Sequence, residues 1–236
     1  MKKLLQLAAR NAGRGMPLRA DATPDTLTLY VYDVIGADWG GVDEKAFVQA
    51  IEQFQGAQII VRINSPGGDV FAGRAMAAAI GRTSAKVTAA VDGVAASAAT
   101  VVATAADQVV MAQGAFWMIH NAWTVAIGNR NDLMDTAALL EQVDGSLAAD
   151  YARRTGMALA DVQAAMDAET WYSAEDAVAA KFADSIDEGK KASAKWDLSA
   201  YNKAPKLNAP DPSEITAAQL HATLERRLRL IEAVPA

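Results

Sequence analysis

The chain has 236 residues, of which 52% are hydrophobic and 21% charged, a composition typical of a globular protein with a substantial core. Its formal net charge of −6 provides no basic surface of the kind that binds nucleic acid, so we expect no nucleic-acid partner. The absence of cysteine excludes disulfides, thiolate metal sites and a cysteine nucleophile. With two histidines in all, only carboxylate ligands remain for a metal, and we expect neither a metal nor a cofactor.

The amino-terminal segment, residues 1–25, precedes the first predicted element. Lys2 and Lys3 stand before a short apolar stretch, an arrangement that superficially matches a secretory signal. Gln6 interrupts that stretch and Arg10 follows it, and no later run reaches the roughly 18 apolar residues of a membrane span. We therefore predict a cytoplasmic protein that does not enter a membrane, with a flexible amino-terminal segment.

Strand and helix patterns alternate through the first half of the chain. Short runs rich in β-branched residues are typical of strands, and apolar residues at helical spacing follow most of them. Strands separated by helices of this length imply crossover connections, a mainly parallel sheet and an α/β fold, with sites beyond the carboxyl ends of the strands. The predicted strands cover 26–34, 57–63, 85–91, 108–112 and 115–120, and the predicted helices cover 43–54, 70–82 and 97–106.

The second half begins with a long helix predicted from Asn131 to about residue 154, with an apolar stripe that includes Leu140 and Leu147. A long helix that projects from a compact core often serves assembly, so we expect a homo-oligomer. A short helix follows near 159–166. Ser173 and Asp176 then form a capping-box pattern ahead of another helix.

The carboxyl-terminal tail differs in composition from the rest of the chain. Residues 189–212 are polar and proline-bearing and are predicted to be a linker. Residues 213–236 place leucines at helical spacing, which predicts an amphipathic helix that packs against the core, a sister subunit or a partner. The main domain is therefore expected to span 26–188.

Ser97 lies in the stretch DGVAASAAT, where small residues leave its hydroxyl open to another molecule. A serine needs a base to become a nucleophile, and histidine is the side chain best suited to that near neutral pH. His120 ends a predicted core strand, whereas His221 lies beyond the predicted linker, so His120 is the better candidate. The structural alternatives are a helix N-cap for Ser97 and a hydrogen-bonded core histidine for His120.

The loop NSPGGD, residues 64–69, follows the strand predicted before it. Gly67 and Gly68 permit positive φ and close approach of a bound peptide to the main chain. Backbone N–H groups in such a loop can stabilise an oxyanion, and the N–H of Ala98 at the start of a helix is a candidate for the same task. The alternative is an ordinary Pro-Gly-Gly turn.

Three motifs, INSPGGDVFAGRAM, DGVAASAATVVATAAD and FWMIHN, resemble in order and spacing the proteolytic subunit of the Clp protease, and WYSAEDAVAAKFADSI resembles the closing segment of that family. The resemblance covers about residues 26–187. It implies an α/β crotonase-like spiral of βαβ units and a serine endopeptidase acting on protein or peptide substrates. It also implies Ser97 as nucleophile, His120 as general base, and an oxyanion hole formed by the N–H groups of Gly67 and Ala98.

The resemblance also implies a catalytic triad of serine, histidine and an acidic residue, and the acidic residue departs from the family pattern. The family places an aspartate four residues before Ser-Ala, and this chain has Glu169 at that position. A glutamate can orient the imidazole as an aspartate does if the backbone is slightly retracted. Asp167 is the second candidate, and a surface-exposed Glu169 beside a Ser-His dyad is the alternative.

Two features resemble a subgroup of the family, the head maturation proteases of tailed phages and prophages. ETWYSAEDAV contains a tryptophan, and the chain carries an appended tail. The resemblance implies capsid or scaffold proteins as substrates, inside a prohead in the host cytoplasm, and a homo-oligomer, with the ring arrangement that Clp subunits form. The alternatives are a degradative subunit that works with an AAA+ unfoldase, which we do not expect, and an inactive assembly protein of the same fold.

Overall fold

The computed structural model describes residue 11, residues 18–192 and residues 196–205. The helix predicted over 213–236 and His221 lie outside the described residues, as does most of the predicted amino-terminal segment. In the described part of the chain, no helix has both the length and the apolar character needed to cross a membrane.

One eight-stranded sheet forms the centre of the molecule. Its strands are β1 (Arg19–Ala22), β2 (Thr26–Val31), β3 (Gln58–Ser65), β4 (Lys86–Ala96), β5 (Gln108–Gln113), β6 (Phe116–Ile119), β7 (Thr170–Ser173) and β8 (Ser185–Lys191). They lie in the order β1-β2-β3-β4-β5-β8, while β6 pairs with β4 and β7. All pairs are parallel except β1 with β2 and β6 with β7. The predicted α/β class with a mostly parallel sheet is confirmed.

The helices follow the strands as the crossover pattern predicts. They are α1 (Glu44–Gln53), α2 (Val70–Arg82), α3 (Ala98–Thr104), α4 (Arg130–Thr155), α5 (Leu159–Asp167) and α6 (Ala174–Ala179), with a short 3-10 helix at Ala37–Trp39. Asp69 caps α2, because its carboxylate accepts hydrogen bonds from the N–H groups of Phe71 and Ala72. The loop NSPGGD therefore leads directly into a helix.

Strand β4 is longer than the predicted strand 85–91 because it pairs with two different neighbours. Residues 88–91 pair with β5, and residues 94–96 pair with β6. The added pairing extends β4 to Ala96, immediately before Ser97. As a result, the carboxyl ends of β4 and β6 lie side by side.

The core packs mainly against one face of the central strands, because buried residues alternate with partly exposed ones along most of β2, β3 and β4. Ile59, Val61 and Ile63 of β3 are fully buried. Trp117 of β6 stacks on Phe182 with ring centroids 5.5 Å apart. These contacts fix the strands that carry the functional side chains.

The described part of the tail departs from the predicted linker over 189–212. Strand β8 runs to Lys191 and so crosses the predicted boundary at residue 188. Beyond it, apolar side chains of a polar segment pack against the sheet and form a second buried cluster. Its members are Val94, Ala96, Met118, Trp196, Leu198, Ala200 and Tyr201. Residues 196–205, called the tail segment below, are therefore part of the folded body, because their apolar side chains are buried against the sheet and removed from water.

Candidate active site

Ser97 occupies the sharp turn between β4 and α3. Its φ of 55° and ψ of −124° lie in a region that non-glycine residues rarely adopt. Its side chain makes no capping hydrogen bond to the helix, so Ser97 does not act as an ordinary side-chain N-cap. Its backbone N–H donates instead to the carbonyl oxygen of Met118 at 3.0 Å. The turn is thus tied to β6 and directs the hydroxyl away from the helix.

His120 directly follows β6 and meets Ser97. Oγ of Ser97 lies 2.7 Å from Nε2 of His120. The parallel register of β4 and β6 pairs Ala96 with Met118, so both side chains emerge from neighbouring strand ends. The arrangement is the one in which an imidazole can accept the proton of a serine hydroxyl.

A chain of hydrogen bonds supports the turn at Ser97 from the side of α4. Thr100 Oγ1 donates to the carbonyl oxygen of Ser97 at 2.6 Å, and its oxygen lies 2.6 Å from the hydroxyl of Tyr151 on α4. Because the only hydroxyl proton of Thr100 is used, Tyr151 is the donor. Burial raises the pKa of Tyr151 to about 12, against the opposing effect of its bond to Thr100, so this donor stays protonated at neutral pH.

The loop NSPGGD, residues 64–69, is called the glycine loop below. It lies against the turn at Ser97 at a distance that only glycine allows. Gly67 has φ of 95°, and a Cβ there would lie 2.6 Å from the carbonyl oxygen of Ala96 and 2.8 Å from Cβ of Ser97. Gly68 has φ of 151°. The loop predicted as an oxyanion-binding element therefore lies directly against Ser97, the candidate nucleophile.

The N–H of Gly67 is already engaged within this loop. It donates to Oγ of Ser65 at 3.1 Å, and that hydroxyl donates to the carbonyl oxygen of Asp33 at 2.6 Å. The neighbouring Gly68, in contrast, lines the cleft together with Ser97, Ala98 and His120. The structure thus differs from the prediction at Gly67: the residue faces the nucleophile turn, but its N–H is directed at Ser65.

Glu169 lies next to His120 because of the β6–β7 pairing. The antiparallel register pairs Ile119 with Thr170, which places the residues that flank them, His120 and Glu169, on adjoining chain ends. Glu169 is 8% exposed and has φ of 50°. Its Oε1 accepts a hydrogen bond from the N–H of Lys203 at 2.7 Å. Glu169 is thus a buried, anchored carboxylate and not a surface acid.

Asp167, the second candidate, points elsewhere. Its Oδ1 accepts a hydrogen bond from the side-chain amide of Asn121 at 2.6 Å. Its charge also contributes to raising the pKa of Asp144, after the larger effect of burial. Asp167 therefore belongs to a polar group at the surface.

A cleft of about 350 Å³ opens beside Ser97 and His120. Its walls come from the start of α2, from α3, from the chain after β6 and from α4. They are mainly apolar, with Val70, Phe71, Val101, Trp123, Leu140, Val143 and Leu147 among them. Within the part of the chain that the structure describes, no group of three or more His, Asp or Glu side chains is placed to hold a metal ion.

Tyr201 is a residue of the site that sequence reasoning missed. Its ring meets that of His120 edge-on, with centroids 5.4 Å apart, and its hydroxyl donates to the carbonyl oxygen of Pro66. The signal for it was the pair of aromatic residues, Trp196 and Tyr201, inside an otherwise polar segment. Nothing local indicated that this segment returns to the end of the sheet where Ser97 and His120 lie.

The chain is similar to known proteins in both sequence and structure. A model of the Clp protease family matches residues 46–190, a range that contains Ser97, His120 and Glu169. Among solved structures, a ClpP1 mutant from Listeria monocytogenes matches with a TM-score of 0.61 and 20% sequence identity, over 68% of this chain and 91% of that one. At this identity the structural match concerns the fold.

Proposed function

This chain belongs to the Clp protease family, and we propose that it is a serine endopeptidase with Ser97 as nucleophile and His120 as general base. The observation that carries the proposal is the 2.7 Å separation of Ser97 Oγ and His120 Nε2 beside an open cleft. In the first step, the proton of Ser97 passes to Nε2 while Oγ attacks the scissile carbonyl carbon. His120 then returns the proton to the leaving amine, and water hydrolyses the acyl-enzyme by the reverse sequence.

The oxyanion of the tetrahedral intermediate needs donors on the cleft side of Ser97. We assign this task to the N–H groups of Ala98 and Gly68. Ala98 directly follows the nucleophile, and the first N–H groups of a helix have no acceptor within it. Gly68 replaces the predicted Gly67 because the N–H of Gly67 is used by Ser65, while Gly68 lines the cleft.

Glu169 is the proposed third member of the triad. Its burial and its place beside His120 support a role in orienting the imidazole and stabilising its protonated form. The N–H of Lys203 holds Oε1 and so fixes the position of the carboxylate.

Labelling with a fluorophosphonate probe tests the assignment of the nucleophile. The wild-type chain is expected to react, and Ser97→Ala is expected to abolish the reaction. Ser84→Ala is the matched control, since Ser84 is an exposed turn residue. Equal labelling of the wild type and Ser97→Ala would remove Ser97 from the mechanism.

For the biological role, we propose a head maturation protease that cleaves capsid or scaffold proteins within a prohead in the host cytoplasm. The tryptophan-containing stretch before α6 and the appended tail support this subgroup. A homo-oligomer, with the ring arrangement that the family suggests, fits the apolar side chains that α4 leaves exposed, which are Leu133, Met134 and Leu139. Such a surface is typical of an interaction site.

Co-expression distinguishes this role from the alternative of a degradative subunit that works with an AAA+ unfoldase. If capsid and scaffold genes lie beside the gene for this chain, their products should be shortened by the wild type and left intact by Ser97→Ala. Cleavage that occurs only when an AAA+ unfoldase and ATP are supplied would instead support the degradative role.

A further inference from the structure

Tyr201 connects the tail segment to three parts of the active site at once. Its hydroxyl donates to the carbonyl oxygen of Pro66, and its ring meets the rings of His120 and Trp171 edge-on at 5.4 and 5.7 Å. Burial raises the pKa of Tyr201, and the charge of Glu169 adds to this, while the adjacent Ser97 hydroxyl acts in the opposite direction. The phenol is therefore a permanent donor at neutral pH.

The bond to Pro66 acts on a particular peptide group. The carbonyl oxygen of Pro66 and the N–H of Gly67 belong to the same planar unit and point in opposite directions. Tyr201 holds the oxygen, and Oγ of Ser65 accepts from the N–H at 3.1 Å. Since both ends of the plane are held, it cannot rotate freely, although the glycines after it permit many backbone angles.

The tail segment is attached by contacts that do not involve Tyr201. Nε1 of Trp196 donates to the backbone and side-chain oxygens of Asn64, both at 3.0 Å. The side chain of Asn11 pairs with the backbone of Asp197 through two hydrogen bonds, at 2.9 and 2.7 Å. Tyr201 is thus presented to the loop by an anchored backbone.

We propose that Tyr201 is a positioning residue: by holding the Pro66–Gly67 peptide from the tail segment, it sets the glycine loop against Ser97 and His120 in the geometry that catalysis requires. Its catalytic consequence rests on the peptidase function proposed above. The segment 196–205 is accordingly part of the active-site structure and not a spacer. The peptidase domain is complete only with this segment folded onto it.

The test is Tyr201→Phe in the full chain, because phenylalanine keeps the ring packing and removes only the hydroxyl. The rate constant for inactivation by the fluorophosphonate, kinact, is expected to fall by about tenfold or more, as for the loss of one preorganising hydrogen bond, with KI unchanged. Tyr172→Phe is the control, since Tyr172 packs on Phe182 and should react as the wild type does. Because the phenol does not ionise near neutral pH, the ratio of wild-type to variant kinact should stay constant from about pH 6 to 9.

A merely structural role would lower the unfolding temperature of Tyr201→Phe and leave kinact unchanged, and that result would overturn the proposal. A ratio that changes with pH would also overturn it, because Tyr201 would then act as an acid or base. If the wild type is not labelled, the peptidase function fails. In that case a crystal structure of Tyr201→Phe still decides whether the Pro66–Gly67 peptide rotates, and an unchanged peptide would reject the positioning role.

Discussion

Oγ of Ser97 lies 2.7 Å from Nε2 of His120, across 23 positions of sequence. We predict that His120→Gln lowers fluorophosphonate reactivity by about a thousandfold or more, because an amide cannot take up the serine proton. Chemical denaturation should show a free energy of unfolding close to that of the wild type. His221→Gln is the control, and an equal loss in that variant would contradict the assignment of the base.

Variants of the two acidic candidates, Glu169 and Asp167, should differ in activity. Glu169→Gln keeps an acceptor for the N–H of Lys203 but removes the charge beside His120, so kinact should fall by about a hundredfold or more. Asp167→Asn should stay within about threefold of the wild type, since Asp167 bonds to Asn121. The opposite ranking in a labelling assay would transfer the role to Asp167.

Gly67→Ala should inactivate the protein through the backbone alone. An added Cβ would lie 2.6 Å from the carbonyl oxygen of Ala96, a distance that forces the loop away from Ser97. In Gly145→Ala in α4, the added Cβ would meet no atom within 4 Å. This variant should stabilise the helix by about 0.5–1 kcal/mol. Labelling and thermal unfolding of both variants measure the contrast, and an active Gly67→Ala would show that loop contact is dispensable.

Thr100→Val should reveal the hydrogen-bonded chain behind the nucleophile. The substitution leaves the buried hydroxyl of Tyr151 without its partner, which costs roughly 1–3 kcal/mol in the free energy of unfolding. The double variant Thr100→Val, Tyr151→Phe should recover part of that loss, because both polar partners are then gone. Urea denaturation of the wild type, the two single variants and the double variant gives the coupling free energy between Thr100 and Tyr151. Strictly additive losses would argue against the proposed chain of hydrogen bonds.

The buried tyrosines predict a loss of stability at high pH. Burial raises the pKa of Tyr151 to about 12 in the folded protein, above the value of about 10 for an unfolded chain. The stabilisation is therefore fully present below about pH 10 and is lost as the pH rises through the folded pKa. Denaturant midpoints measured from pH 9 to about 12 should fall less steeply for Tyr151→Phe than for the wild type.

Residues close together in sequence were sufficient to predict much of the fold. The helices over 43–54 and 70–82 and the strand over 57–63 form within a few residues of their predicted bounds, because apolar periodicity and capping residues act locally. The same holds for the position of Ser97 and His120 at strand ends. Their meeting required in addition the parallel pairing of β4 with β6, which no local pattern indicated.

Only the tertiary structure decided the features that depend on distant contacts. The direction of the Gly67 N–H is set by Ser65, the burial of Glu169 by β7 and Lys203, and the path of residues 196–205 by the apolar cluster around Met118. A proline-bearing stretch with many polar residues, such as 189–212, resembles a linker when each residue is counted alone. It packs instead, because a few aromatic and aliphatic side chains find an apolar surface that the chain builds elsewhere.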